Sequence, residues 1–555
     1  MQWRPFLHLD LGTTHVVNTL TSGIRPFLVL TALCAALFLP GLSSVPPTDR
    51  DEARFMQATK QMLETGDVVN IRFQAEPRTK KPVGIHWLQY LSVKYVAQGD
   101  LAAVWAYRLP STLAAWLSVL CVFVFGRALF SAHTGLIAAG LTACTFLMTT
   151  EAHLAKTDAM LLLTVITAHM ALFEFYRAKP GIMPPMKVAL LFWCAIGVGL
   201  LIKGPITLAI LVATAFSLSV ADKKITWLRG LQPEIGIPLA IAFILPWMLA
   251  SIANGQGGVI TTSLAEDFLP KLFTGTEGHG ALPGTHSLLS PATLWPASLL
   301  LIPGLLLAWK HRHETNVRYC LAWGLSTWAL FEVIPTKLPH YVLPAVPALT
   351  LAAAEALSRA NFEIPRWSVA IWSLVAAVLG GGILWATHIF DGSTLPAIAL
   401  SMALVISTIF IWMRPSRTLL ALPLTAVVSF GLIVGIILPG LNGLALSSRI
   451  ARLVDQHTSV ESPAVALTRY HEPSAVFMLG KETWLTDGRN AAAHISADPL
   501  ALAVVAADQL ESIDELLAST QATMIVIDKI DGYNYSKGRR ESLSLIRSEP
   551  RNQAK

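Results

Sequence analysis

Residues 187–221 read KVALLFWCAIGVGLLIKGPITLAILVATAFSLSVA: two apolar runs, 187–202 and 205–221, divided by Lys203 and a Gly204-Pro205 turn. A helix of about 20 apolar residues crosses the hydrocarbon core of a bilayer with its backbone groups satisfied internally. Comparable runs recur outward in both directions, near 104–125, 133–150, 158–176, 235–253, 289–309, 317–334, 341–358, 368–387, 395–413 and 418–438. A first run at about 26–42 follows Arg4 and Arg25 and ends in Pro-Gly-Leu-Ser-Ser, without a small-residue cleavage site, so it is expected to stay as a signal anchor. The pattern predicts a polytopic α-helical membrane protein with thirteen transmembrane helices. Composition agrees: of 555 residues 54% are hydrophobic and 14% charged, far from the roughly 25% charged of a soluble domain.

The net charge of +6 does not call for a nucleic-acid partner, because loop lysines and arginines that set membrane orientation account for it. Alternate short loops carry fourteen Lys and Arg, whereas the opposite set carries Lys156, Lys203, Lys271 and Lys337. The bias predicts a cytoplasmic N-terminus, with the long first loop, 43–103, and everything beyond about 440 outside. That first loop is itself basic, and cations on the wrong side of the bias point to an anionic ligand. Cys34, Cys121, Cys144, Cys194 and Cys320 lie in apolar segments without CxxC spacing, so neither a disulfide framework nor a zinc cluster is indicated. The tail, 441–555, has ordinary charge density. Its short apolar runs at 464–467, 475–479, 502–506 and 524–527 alternate with helical patterns near 446–457 and 508–518, which predicts a small α/β domain.

Within the first outer loop, Thr48-Asp49-Arg50-Asp51-Glu52-Ala53-Arg54-Phe55 opens a helical pattern, with Thr48 or Asp49 as N-cap and Phe55, Met56, Met62 and Leu63 on its apolar side. The helix is expected to lie in the membrane interface, with Asp51, Glu52 and Arg54 in its first turn. Such acids also cap a helix and complement its dipole. The loop continues through Thr65-Gly66-Asp67 to Pro77-Arg78-Thr79-Lys80-Lys81-Pro82. Further on come Ala155-Lys156-Thr157-Asp158, Ile202-Lys203-Gly204-Pro205, Glu277-Gly278-His279-Gly280 and Lys337-Leu338-Pro339-His340-Tyr341-Val342-Leu343-Pro344.

In this order the motifs resemble the polytopic glycosyltransferases that use polyprenyl-phosphate sugars. The likeness is greatest to the bacterial aminoarabinose (lipid A) transferase-like branch of the protein O-mannosyltransferase superfamily, of glycosyltransferase family 39/83 type. That branch carries a DExRY helix, an SGDW turn and an EKP loop after its first span, then an outer aspartate, a TKG turn, an ESHG loop and a KLPxYxLP element. The resemblance implies a GT-C fold with interfacial helices in the first outer loop. It also implies a donor such as an undecaprenyl-phosphate sugar and a place in the bacterial inner membrane. One departure stands out: Lys80 occupies the position of the EKP glutamate, which belongs to that branch's metal environment. A divalent metal is therefore not supported here, with Glu277 and His279 the remaining candidates for ligands.

Transfer from a lipid phosphate needs cations for the departing phosphate and a carboxylate for the acceptor. Arg54, Lys81 and Lys203 are the expected phosphate-binding cations, Arg through a bidentate fork and Lys as a point charge. Asp51 is expected to orient or deprotonate an acceptor hydroxyl, with Asp158 in support; an already ionised phosphate acceptor would need no base. Glu52, Lys80, Lys337, His340 and Tyr341 are expected to line the substrate cavity. Lys203 also fits a lysine that snorkels to the interface, Asp158 a helix-start acid, and His340 and Tyr341 interface anchors. One carboxylate facing one displacement implies inversion at the anomeric carbon. The acceptor class stays open between lipid A, another glycan and a protein hydroxyl. A transporter or flippase for the same lipid is the second reading; it would show paired repeats and broken helices at mid-membrane, and no internal repeat is visible.

Overall fold

The computed structural model describes residues 6–8, 21–78, 80–179, 182–256, 280–359, 363–458 and 463–550. A helix occupies each of the thirteen apolar stretches. Eight helices among the described residues are long and apolar enough to cross a membrane, or nine if the pair Ala132–Ala143 and Phe146–Ala152, bent by 66°, counts as one span. The remaining stretches form shorter apolar helices such as Arg25–Phe38 and Ile206–Asp222, or, in Thr315–Val333, a helix of lower hydropathy. The span Pro339–Ser358 is 83% buried and sits centrally, whereas Arg366–Ile389 and Thr394–Met413 are only 22% buried and form the periphery.

Helix contacts in the bundle follow membrane rules, with small residues at close crossings and hydroxyl pairs between helices. Thr142 and Thr350 share a hydrogen bond of 2.8 Å, and Thr164 and Thr207 one of 3.1 Å. At the crossing of Val104–Leu129 with Ala132–Ala143, a Cβ on Gly135 would stand 2.6 Å from the Phe123 carbonyl oxygen. Backbone cannot yield there as a flexible side chain would.

The tail forms a five-stranded mixed sheet in the order Trp484–Thr486, Ala466–Thr468, Ala503–Ala506, Arg539–Pro550, Ala522–Asn534. The first three strands run parallel, and the last two make a long antiparallel hairpin whose tip is 535–538. Helices Leu446–Asp455, Pro473–Leu479, Gly488–Ala497 and Leu510–Ser519 complete it. The apolar run at 475–479 is thus helical, not extended: Pro473 starts the helix and Gly480, at φ 107°, ends it.

The first-loop helix is Asp51–Thr65, and neither Thr48 nor Asp49 caps it. Arg50 is its N-cap, with φ 67° and ψ −109°, a conformation that costs a non-glycine residue about 1–3 kcal/mol. Thr48 instead donates both its N–H and its hydroxyl to Glu52, at 2.8 and 2.7 Å, and Asp49 turns toward the tail. Nor does the helix rest its apolar side on lipid. Met56 packs with Tyr107 and Phe477, and Ala58 and Met62 pack with Val83 and Trp247, so protein covers it.

Glu52, expected in the cavity, is buried and belongs to the framework. The Arg108 Nε and Nη2 donate to its two oxygens at 2.8 and 3.1 Å, and the Ala155 N–H donates to it at 3.0 Å. The remaining Arg108 donors reach the carbonyls of Leu42, Val45 and Pro46 at 2.7–3.0 Å. One ion pair therefore ties the end of the first span, the first-loop helix and the start of Asp158–Tyr176 together.

Burial alone would raise the Glu52 carboxyl, but the Arg108 guanidinium and the backbone donors outweigh it and hold it below its ordinary 4.5. A carboxyl depressed in the folded state stabilises above its unfolded value and loses that contribution as pH falls through its folded one. The melting temperature of the purified protein is accordingly expected to drop on acidification below about pH 4.5, with a shallower slope in Glu52→Gln. At neutral pH that variant is expected to lose about 3 kcal/mol, because it leaves a buried guanidinium unpaired. In the same assay Gly135→Ala is expected to cost about 1–3 kcal/mol by overpacking. Gly140→Ala, whose Cβ would meet no atom within 4 Å, is expected to be neutral or to stabilise by up to about 1 kcal/mol.

Candidate active site

With Glu52 fixed inward, the neighbouring Asp51 points the other way, its side chain 60% exposed. It faces a cavity of about 640 Å³ bounded by the start of the first-loop helix, Arg78, Lys80 and Lys81, residues 156–158, the end of the helix Met186–Lys203, and residues 336–341. Seven cations line it, Arg50, Arg54, Arg78, Lys80, Lys81, Lys156 and Lys203, against the two carboxylates Asp51 and Asp158. A narrower apolar crevice leaves the same place between Leu161, Ile206, Phe331, Ile334 and Pro344.

Helix ends set the geometry. Asp158 is the first residue of its helix and Lys203 the last of its own, each at the dipole end that favours its charge. Gly204, at φ 66°, breaks the chain away immediately after. The Lys203 Nζ donates to Asp158 Oδ1 at 2.5 Å and lies 5.4 Å from the Tyr341 ring centre. Asp158 Oδ2 is 3.8 Å from the Lys156 Nζ, and Oδ1 is 3.7 Å from His340 Nε2. Lys156 in turn pairs with Glu151 at 2.9 Å. Burial alone would lower the Lys156 ammonium, but the carboxylates of Glu151 and Asp158 outweigh it and hold its pKa above the ordinary value.

The two aspartates therefore differ. Asp158 is buried and committed to cations, so it fixes lysines; Asp51 is exposed, with the Arg78 guanidinium at 3.8 Å. Arg54 is half-buried on the cavity wall and has no side-chain hydrogen bond or ion pair among the described residues, which leaves its fork available to a ligand.

Of the residues expected at the site, Asp51, Arg54, Lys80, Lys81, Asp158, Lys203, His340 and Tyr341 come together around this cavity. Two do not. Glu52 belongs to the Arg108 pair. Lys337 is buried, and its Nζ donates to the carbonyls of Phe331, Glu332 and Ile334, closing the end of Thr315–Val333. Glu277 and His279 lie outside the described residues. Among the described residues no three His, Cys, Asp or Glu side chains are grouped to hold a metal, and Asp158 and Glu151 are already paired with lysines.

Arg50, Arg78, Lys156 and Glu151 were not singled out from sequence. Glu151, a carboxylate at the end of an apolar stretch, carried a usable signal, since an ionisable group there marks a functional site by default. Lys156 and Arg78 sit inside the quoted motifs. Arg50 carried none, since its place depends on an unusual backbone conformation.

The tail reaches the same neighbourhood. Ser474, at the start of Pro473–Leu479, and the hairpin-tip residues Tyr535 and Ser536 converge on Asp49 and Arg50. Burial there raises the Asp49 carboxyl to about 6, with hydrogen bonding from Ser474 acting in the opposite direction.

Residues 48–253 match the family described as dolichyl-phosphate-mannose-protein mannosyltransferase. Among curated relatives, an undecaprenyl phosphate-alpha-4-amino-4-deoxy-L-arabinose arabinosyl transferase from Pseudomonas fluorescens is 26% identical over 313 residues, 55% of each chain. One from Serratia proteamaculans is 23% identical over 67% of this chain and 69% of its own. The chain thus spans little more than half the length of the first of these relatives. Among solved structures, ArnT from Cupriavidus metallidurans bound to undecaprenyl phosphate superposes with a TM-score of 0.71 at 18% identity, over 94% of this chain and 98% of that one. An archaeal oligosaccharyltransferase from Archaeoglobus fulgidus, 11% identical over 94% of this chain and 74% of its own, gives 0.50. Residues 48–253, which match the protein mannosyltransferase family model, thus hold all seven of the cavity's cations and both its aspartates, in a chain whose overall fold is similar to that of ArnT.

Proposed function

We propose that the protein is a multi-pass membrane glycosyltransferase that moves a sugar from a polyprenyl-phosphate donor, such as an undecaprenyl-phosphate sugar, to an envelope acceptor. The observation that carries this reading is the junction of a cavity lined by seven cations with an apolar crevice. That shape and charge suit a ligand with a phosphate head and a hydrocarbon tail. The names of the relatives and the fold shared with ArnT support the same donor class.

In this reading Lys203, Lys81 and Arg54 hold the donor phosphate, and Asp158 keeps Lys203 and Lys156 in place. The acceptor oxygen forms its bond to the anomeric carbon as the bond to the phosphate oxygen breaks, so polyprenyl phosphate leaves and the configuration inverts. With a hydroxyl acceptor, the proton passes to Asp51. An acceptor phosphate arrives ionised, and Asp51 then orients it through Arg78. The acceptor class comprises an envelope lipid such as lipid A, a glycan or a protein hydroxyl.

Thirteen spans, a cytoplasmic N-terminus and an α/β domain on the periplasmic side of the bacterial inner membrane complete the proposal. Loop charges support that orientation. Asp158 and Lys203 sit at helix ends, and no internal repeat of the kind transport would call for is visible in the sequence.

Cells carrying Asp51→Asn are expected to accumulate one polyprenyl-phosphate sugar relative to wild type, read by mass spectrometry of extracted lipids. An unchanged lipid profile with the variant correctly inserted would remove Asp51 from turnover. Arg54→Gln and Lys203→Gln are each expected to weaken undecaprenyl phosphate binding to the purified protein by about 1.5–3 kcal/mol, the worth of a hydrogen bond to a charged group. Unaltered affinity in both would place the phosphate elsewhere.

A further inference from the structure

We propose that the tip of the C-terminal hairpin is part of the active-site scaffold, with Tyr535 and Ser536 positioning Asp51 by holding the two residues before it. The inference rests on the transferase reading for what Asp51 does; it adds a positioning role for the α/β unit.

Hydrogen bonds join the tail to these residues. The Asp49 N–H donates to the Tyr535 hydroxyl oxygen at 2.6 Å, Arg50 Nη2 donates to the Ser536 carbonyl at 2.5 Å, and the Ser474 N–H donates to Asp49 Oδ1 at 3.1 Å. The tip and the Ser474 turn brace each other, since Asn534 Nδ2 donates to Glu472 Oε1 at 2.8 Å. The bonds from the tail to the bundle side fall on Asp49 and on Arg50, whose φ is 67° immediately before Asp51. A residue persists in such a conformation only where its surroundings over-determine it. On the other side of Asp51, Glu52 is fastened to Arg108. Asp51 is therefore suspended between two clamps, one from the bundle and one from the hairpin tip. Releasing the second lets Arg50 relax toward an ordinary backbone region and swings the Asp51 carboxylate relative to the cavity. A displacement of about 1 Å at a reacting group is enough to cost orders of magnitude in rate.

The same unit also grips the first loop away from Asp51, at Lys60 in the helix and at Gln74 beyond it. Gln74 Nε2 donates to the carbonyls of Lys481 and Thr483 at 3.0 and 2.6 Å, and the Lys60 Nζ donates to the Phe477 carbonyl at 2.9 Å. Those contacts dock the unit without touching the residues around Asp51, and they separate positioning from docking.

The test uses the full-length chain with two readouts: the cellular pool of polyprenyl-phosphate sugar, and the affinity of the purified protein for undecaprenyl phosphate. Tyr535→Phe and Asp49→Ala are expected to slow donor consumption roughly tenfold while leaving undecaprenyl phosphate affinity within about twofold, as for an interaction felt in turnover alone. Asp49→Asn, which keeps an acceptor for the Ser474 N–H, is expected to recover most of the loss. Gln74→Ala is expected to match wild type, and Tyr535→Phe combined with Asp51→Asn to be no slower than Asp51→Asn alone. Donor accumulation in Asp51→Asn with none in Tyr535→Phe would overturn the positioning role and leave the transferase reading standing. Equal losses in Gln74→Ala and Tyr535→Phe would reduce the contact to docking and overturn it as well. No accumulation in Asp51→Asn would sink the transferase reading and this inference with it.

Discussion

The buried pair between Glu52 and Arg108 is the constraint on which the rest of the site depends. The guanidinium has no solvent to turn to, so its donors are satisfied by one carboxylate and three carbonyls at the end of the first span. Breaking such a pair leaves an uncompensated buried charge, so the loop cannot drift from the bundle at low cost. Because Glu52 is committed inward, helical geometry sends Asp51 outward, about 100° around the axis. Arg54, one turn further on, follows it to the cavity side. Two adjacent acids thus take unlike roles, one structural and one open to a ligand.

The second constraint is electrostatic. Two unit charges 4 Å apart at a protein surface interact by about 4 kcal/mol, so seven cations around one cavity would be held together at considerable cost without counter-charges. Asp158 and Glu151 supply some of it, placed between Lys203, Lys156 and His340 at 2.5–3.8 Å. In the proposed reading the donor phosphate supplies a further counter-charge to the same cavity wall.

Much of this was legible in the sequence because it depends on local order. Apolar run lengths located the helices, and the clustering of acids and bases at helix ends in Asp51-Glu52-Ala53-Arg54, Lys156-Thr157-Asp158 and Lys203-Gly204-Pro205 located the cavity. What failed were roles decided by partners far along the chain. Nothing around Glu52 announces Arg108, 56 residues away, and nothing around Lys337 distinguishes a cavity wall from the end of the preceding helix. The cap at Thr48 or Asp49 was a sound local reading that did not hold, since Thr48 bonds the Glu52 side chain four residues on and Asp49 bonds the distant tail. The run at 475–479 was misjudged because five apolar residues do not separate strand from helix; the flanking Pro473 and Gly480 did.

The tail's position resolves a difficulty that the first loop would otherwise have. A short helix carrying an exposed Asp51 at its first turn is the kind of element that frays, because its early N–H groups lack partners, and Arg50 provides no side-chain cap. Order at that end must come from outside the helix. The bundle supplies it on one side through Glu52, which accepts the Thr48 N–H and the Ala155 N–H together. The α/β unit supplies it on the other through the Tyr535 hydroxyl and the Ser536 carbonyl. A loop that carries function tolerates mobility only up to the precision its chemistry demands, and in the proposed reading a single carboxylate serving one displacement demands more than a free helix end provides. A strained residue between two anchors meets that demand, because each anchor alone leaves Arg50 a way to relax and the two together do not.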